Sequence, residues 1–228
     1  MPADHATIIT IDGPAGTGKS SVARLLASRI GLDFLDTGAM YRAAAAIVLD
    51  EHLDPTDTDA IVARVADADL HFDWQADPPT ILAWLKPIDD RIRDTDVTAI
   101  VSEIASIGAL REHMVRKQRI IAAQHPRLVS EGRDQGSVVF PDADVKFYLD
   151  ADPKVRALRR TAQLRADGRE RDLAALQAEI IERDLSDSSR KVGPLVCPAD
   201  AIRIDTSSLG FDEVVRCLEQ EVRTRLSL

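Results

Sequence analysis

The chain has 228 residues, room for one α/β domain with an insertion and for a substantial core. A net charge of −9 argues against a general nucleic-acid binder, and with no long uncharged apolar run no membrane span is expected. The opening MPADHATIIT lacks a basic-then-apolar leader, and Cys197 and Cys217 have no metal-like spacing or disulfide framework. The expectation is a cytoplasmic protein with two reduced thiols.

In chain order, the pattern predicts a strand over Thr7–Asp12, a helix over Lys19–Ile30, a short strand at Asp33–Leu35 and helices over Ala39–Leu49 and Thr56–Ala66. The character then changes. "LHFDWQADPPTILAWLKP" alternates, holds both tryptophans and turns at Ala76–Pro79, which predicts a β-ribbon inserted near residues 68–95. Trp74 and Trp84 are expected to fill a small core there. Helices follow over Thr98–Ala105 and Ala109–Ala123, then buried strands over Arg127–Glu131 and Val145–Leu149. Asp152 and Pro153 read as the N-cap and first position of another helix. Glu170–Asp187 reads as helix, Ala201–Asp205 as strand and Phe211–Leu226 as a closing helix. Strands separated by helices imply a mostly parallel sheet covered on both faces.

The stretch between the first strand and first helix carries the strongest signal. "GPAGTGKSS" supplies Gly13, Pro14, Ala15, Gly16, Thr17, Gly18, Lys19, Ser20 and Ser21, and fits the phosphate-loop pattern G-x-x-x-x-G-K-[ST]. Glycines let backbone N–H groups turn inward around a triphosphate, and the following helix presents its positive end. Lys19 can reach the outer phosphates, and Ser20 can ligate Mg²⁺. Arginine is abundant throughout. GC-rich codon usage accounts for most surface arginines, and only position singles out those that fork onto phosphates.

Four later stretches bear on the acceptor: "LDTGAMYR" (35–42), "SEIASIGALREHMVRKQR" (102–119), "VSEGRDQGSVVFPDA" (129–143) and "ERDLSDSSR" (182–190). With the phosphate loop they closely resemble the bacterial cytidylate kinases, over nearly the whole chain and including the insertion. The resemblance implies a P-loop kinase fold: a parallel five-stranded sheet flanked by helices, a small β-containing insertion at about 67–96 that binds the nucleoside monophosphate, and an Arg-rich lid at about 154–171. The core would be 1–66 and 97–228 of a single domain. It implies ATP as co-substrate with Mg²⁺, CMP or dCMP as acceptor, and a monomer.

It also implies residue roles. Arg42, Arg133 and Arg190 match positions that grip the acceptor phosphate, and several cations are needed to offset repulsion between two polyanions. Arg133 follows a predicted buried strand, where α/β ligand sites form. Ser102, Arg111 and Asp134 match cytosine-reading positions; a carboxylate can accept from the exocyclic amine while a guanidinium donates to N3 and O2. Arg183 and Asp187 match residues near the acceptor sugar, and Thr37 sits in the corresponding pocket wall, where some relatives carry Ser. Asp36 either shapes this loop or is a local turn-capping carboxylate. Glu131, where some relatives carry Asp, is placed to hold Mg²⁺ or its waters. Arg156, Arg159 and Arg160 share a helix face by i, i+3, i+4 spacing, and with Arg165, Arg169 and Arg171 they make the expected lid over ATP.

The acceptor oxygen of a phosphate monoester is already mostly dianionic at neutral pH, so the reaction needs no general base. This suits a chain whose His5, His52, His71, His113 and His125 lie outside the four stretches. Three rival readings remain at this point. A kinase acting on an alcohol would want a base, for which Asp36 is a weak candidate. A kinase for UMP or AMP is disfavoured by the Ser102–Arg111–Asp134 set. A nucleotide-binding switch would hold its nucleotide and turn over slowly.

Overall fold

The apolar run before the glycine loop forms β1 (Thr7–Asp12), with Ile9 and Ile11 fully buried. In the computed structural model, residues 6–166 and 168–226 are described; His5 and, within the expected lid, Asp167 lie outside them. After the loop comes α1 (Lys19–Ile30), which buries Val22, Ala23, Leu26 and Ala27 and stops at Gly31 in a left-handed cap. Then follow β2 (Asp33–Asp36), α2 (Thr37–Asp50), α3 (Thr58–Asp67), and the short strands β3 (His71–Asp73), β4 (Thr80–Ala83) and β5 (Lys86–Pro87). A 3₁₀ turn at Arg91–Arg93 leads into α4 (Thr95–Ile104) and α5 (Gly108–Gln124). The second half runs β6 (Arg127–Glu131), a π-helical turn at Gln135–Val139, β7 (Val145–Asp150), α6 (Pro153–Ala166), α7 (Leu173–Ser189), β8 (Ile202–Asp205) and α8 (Phe211–Leu226).

The main sheet has the order β2-β6-β1-β7-β8. β1 pairs in parallel with β6, Ile9 opposite Val129, and with β7, Ile11 opposite Phe147. β7 pairs in parallel with β8. Such strands are apolar along their length because both faces are covered, as in Leu128, Val129, Phe147 and Leu149. The chain leaves β1 toward one edge and later fills the other, so β1 marks the topological switch point, where α/β sheets bind ligands beyond their carboxyl ends.

Packing divides the chain into two compact units, 1–33 with 126–228, and 34–125. In the first, α8 turns Val214, Val215, Leu218 and Val222 inward and packs on α1. α6 and α7 form a hairpin around Ala157, Leu164 and Leu176. In the second, α2 is rich in buried alanine and packs against α3 and α4. Its N-terminus is capped by the Asp36 carboxylate, which accepts from Ala39 N at 2.9 Å, so this residue caps a helix where a turn cap was the local expectation. β3, β4 and β5 form the expected ribbon, antiparallel, with Phe72 opposite Ile81. Trp74 stacks on His125 with ring centroids 3.8 Å apart. Trp84 departs from the expected core position. It is exposed, lies under the Arg64 guanidinium at 4.4 Å and donates its indole N–H to Asp67. Its polar handle and a cation on its face make the surface tolerable.

Candidate active site

The loop after β1 is shaped by close approach. Gly13 has φ +144°, and a Cβ there would lie 2.0 Å from the Leu149 carbonyl oxygen. Only glycine fits. The loop ends at Gly18, which precedes α1 without a side-chain cap, and the first turn of α1 holds no acidic residue. The N–H groups at this helix end are therefore not taken up by a capping side chain, the arrangement that receives an anion. Lys19 is 5% exposed and donates from Nζ to Pro14 O at 2.7 Å. Burial pushes its amine down to about 7, and the nearby Arg133 charge adds to this. Glu131, Asp12 and Asp187 act the other way.

β6 ends at Glu131, which is buried, and its Oε1 accepts from Ser20 Oγ at 2.7 Å. A hydroxyl and a carboxylate in contact are hard oxygen donors of the kind Mg²⁺ takes. Among the described residues, no group of three His, Cys, Asp or Glu side chains is arranged to hold a metal by itself.

The next residue but one is Arg133. Its Nε donates to Asp187 Oδ2 at 2.8 Å, and Arg190 pairs with Asp187 Oδ1. Asp187 is fully buried. Burial alone would raise its carboxyl, but Arg133, then Arg190 and Arg183, hold it below the usual carboxylate range. One buried carboxylate thus fixes two arginines from distant parts of the chain. Asp134 is buried and opens the π-helical turn, its carbonyl accepting from Val138 N and Val139 N.

The expected lid arginines separate in space. Arg156 is buried at 2% exposure. Its guanidinium donates to Ala151 O at 2.9 Å, pairs with Asp184 at 2.6 Å, and reaches Ala15 O of the phosphate loop at 3.0 Å. Arg159 is engaged by Thr206 and Leu209 in the segment after β8. Arg160 bonds Gln163 on its own helix at 2.8 Å. Helical spacing put these three on one face, but the fold turns Arg156 inward beneath the loop. Thr161, Arg165, Arg169, Glu170 and Arg171 line a cavity of about 100 Å³ at the α6–α7 turn.

Thr37, Arg42, Ser102 and Arg111 belong to the second unit. Thr37 is buried at the first position of α2. Arg42 donates to Thr98 Oγ1 at 3.0 Å. Ser102 is half-buried on α4. Arg111 is almost fully buried, donates to Ala105 O at 3.0 Å and lies 5.0 Å from the centre of the Tyr41 ring. The contacts to Ala105 O and Tyr41 preset the fork, which matters for a planar ligand.

Two charged residues lie in this region that the sequence reasoning passed over. Asp184 ties α7 to Arg156, and Asp12 ties β1 to the π-helical turn. The sequence signal for Asp12 was a charge closing an otherwise apolar strand.

A glycine loop meeting a helix without a side-chain cap at the switch point of a parallel sheet, with a buried lysine inside it, defines a P-loop phosphotransferase. The fold is similar to the crystal structure of a gluconokinase from Sinorhizobium meliloti 1021, with a TM-score of 0.50 at 13% identity over 97% of this chain and 96% of that one. The cytidylate kinase family profile matches residues 9–224, and the chain belongs to that family. It is 47% identical over 212 residues to the cytidylate kinase of Rhodococcus opacus (strain B4), covering 91% of each chain. It is 44% identical over 220 residues to that of Corynebacterium efficiens, covering 96% and 95%.

Proposed function

We propose that this chain transfers the γ-phosphoryl group of ATP to CMP or dCMP, giving ADP and CDP or dCDP. The observation that carries the reading is the pairing, in one unit, of two cation sets for two polyanions. The phosphate loop with Lys19 receives the donor. Arg133 and Arg190, held on one buried carboxylate, receive the acceptor phosphate. Family membership supports the choice of nucleotide.

Arg133 and Arg190 are already pinned by Asp187, so little side-chain freedom is lost when a phosphate arrives. From the family resemblance alone, Arg42 is assigned to an acceptor phosphate, Arg183 and Asp187 to the sugar side and Thr37 to the pocket wall. The acceptor is a dianion and attacks in line without a general base. Lys19 then neutralises charge on the transferring group. Ser20 and Glu131 are the residues that would hold Mg²⁺, which when bound offsets charge on the β- and γ-phosphates.

From the family resemblance alone, Asp134, Arg111 and Ser102 are assigned to the cytosine edge. A carboxylate accepts from the cytosine amine, whereas uracil presents a carbonyl there and meets it badly. Segment 154–171, around Gly168, is assigned as the lid, with Arg160 and the arginines at the α6–α7 turn standing apart from the tie that holds Arg156. The protein is proposed to act as a monomer in the cytoplasm. Among the described residues no helix is long and apolar enough to cross a membrane.

Phosphorus-31 NMR of the protein with MgATP and CMP tests the chemistry directly. The α and β resonances of CDP should grow together with those of ADP. Orthophosphate appearing instead would mean hydrolysis and would remove the acceptor from the reaction.

A further inference from the structure

We propose that Asp12 is a positioning residue for the acceptor side: its buried carboxylate sets where Arg133 and Asp134 stand by gripping the two backbone N–H groups that follow them. This rests on the acceptor reading of Arg133 and Asp134.

Asp12 is 1% exposed and closes β1, directly before Gly13. Its Oδ1 accepts from Gln135 N at 2.9 Å, and its Oδ2 from Gly136 N at 2.7 Å. These are the amides one and two residues past Asp134. The rest of the turn is built to present them. Asp134 O receives Val138 N and Val139 N, Gln135 O receives Phe140 N at 2.7 Å, and Ser130 Oγ donates to the Gln135 side chain at 2.8 Å. Residue 136 must be glycine for this approach. A Cβ there would lie 2.8 Å from Thr10 Oγ1 and 3.4 Å from Asp12 Oδ2.

The grip crosses the sheet. β1 is the strand that feeds the phosphate loop, and the π-helical turn follows the arginine and carboxylate assigned to the acceptor. Gly132 N also bonds Ile11 O at 3.1 Å, so backbone and side chain of β1's last two residues hold the segment on both sides of Arg133 and Asp134. Two parallel N–H donors call for a group that only accepts, and a carboxylate supplies two such oxygens. Asparagine keeps one and turns an amide donor toward the other N–H. Alanine leaves two buried donors unmet. In transfer chemistry a displacement near 1 Å costs orders of magnitude in rate, so a small relaxation of this turn should reach the reaction.

The test is steady-state kinetics at pH 8, above the value of about 7 to which burial pushes the Asp12 carboxyl, of full-length Asp12→Asn and Asp12→Ala, varying CMP and ATP separately, with thermal unfolding of each. Asp12→Asn should raise KM for CMP about tenfold, as expected for one lost hydrogen bond to a charged acceptor, and KM for ATP less than about twofold. Asp12→Ala should move further in the same direction, with the Asn variant as the partial rescue. An unmoved KM for CMP in folded Asp12→Asn, or an equal rise in KM for ATP, overturns the inference. The wild-type assay is read first. No CDP there defeats the acceptor reading, and this inference with it, whereas CDP there with an unmoved KM in Asp12→Asn defeats the inference alone.

Discussion

Nucleotide binding should draw a proton onto Lys19. In the free protein the amine is pushed from 10.5 to about 7, chiefly by burial and then by Arg133. At pH 8 about nine in ten molecules therefore carry it neutral. A triphosphate in the loop brings several negative charges next to Nζ and favours the charged form. If the amine returns to its ordinary range, binding takes up about 0.9 proton at pH 8, about 0.5 at pH 7 and about 0.1 at pH 6. Burial thus disfavours the charged amine in the free fold. Its sign in stability is fixed. Below about 7 both folded and unfolded states hold the proton and the penalty is complete; it is relieved as pH rises toward 10.5, so this contribution to stability increases with pH. The assay is calorimetric titration of MgATP in two buffers of different ionisation enthalpy, from which the proton count follows. Asp12 also titrates near 7, raised by burial against the pull of its two N–H donors, so the control is Lys19→Met. Uptake should fall in that variant by the share that Lys19 carries. Equal uptake in Lys19→Met, or none at pH 8 in the wild type, would mean that Lys19 is already charged in the free protein.

Other outcomes follow from the same geometry. Lys19→Met should cut kcat by about 10²–10³ or more while the free protein, relieved of a buried charge, unfolds at a higher temperature below pH 7; near-normal turnover would remove Lys19 from the chemistry. Asp187→Asn strips two arginines of their shared partner and should lower stability by roughly 3 kcal/mol in denaturant titration, near the low end for a broken buried pair because Arg133 keeps some contact with solvent. Because its carboxyl is held below the usual range, that stabilisation is present above ordinary carboxylate pH and lost in acid, so the variant's acid limb should flatten. Arg156→Met should raise KM for ATP and lower stability through the Ala15 and Asp184 ties; a large kcat loss in a fully stable protein would instead put Arg156 on the phosphates. Amides from Lys154 to Ala166 should gain hydrogen-exchange protection with a bisubstrate analogue joining adenosine and cytidine through phosphates, and equal protection in both states would mean a rigid segment.

Much of the fold was legible because local and global demands agree. β1, α1, β6 and α8 lie where periodicity and caps put them, since each is an apolar strand or an amphipathic helix ending at a clear signal such as Gly31. α7 starts at Leu173 rather than Glu170 because Asp172 takes the cap, accepting from Ala175 N at 2.8 Å. The π-helical turn at Gln135–Val139 was not foreseen. Its cause is a carboxylate 123 residues away in sequence, and no local pattern encodes that. The phosphate loop was legible as a motif because its geometry is local. Arg156 was not, because i, i+3, i+4 spacing gives a face without saying whether that face meets solvent or Ala15 and Asp184. Trp84 failed for the opposite reason: an aromatic reads as core, while a positive φ of 48° at the end of a hairpin strand turns it outward under Arg64.

The central claim is that a donor loop and an acceptor site selective for cytosine act together. The most direct measurement is ADP release from MgATP, coupled to a spectrophotometric readout, over a panel of CMP, dCMP, UMP, dTMP, AMP and GMP. Release should depend on the acceptor, fast with CMP and dCMP and slow with the others, with Asp134→Asn narrowing the CMP-to-UMP ratio of kcat/KM. ADP release at one rate regardless of acceptor, or a preference for UMP or AMP, would contradict that claim.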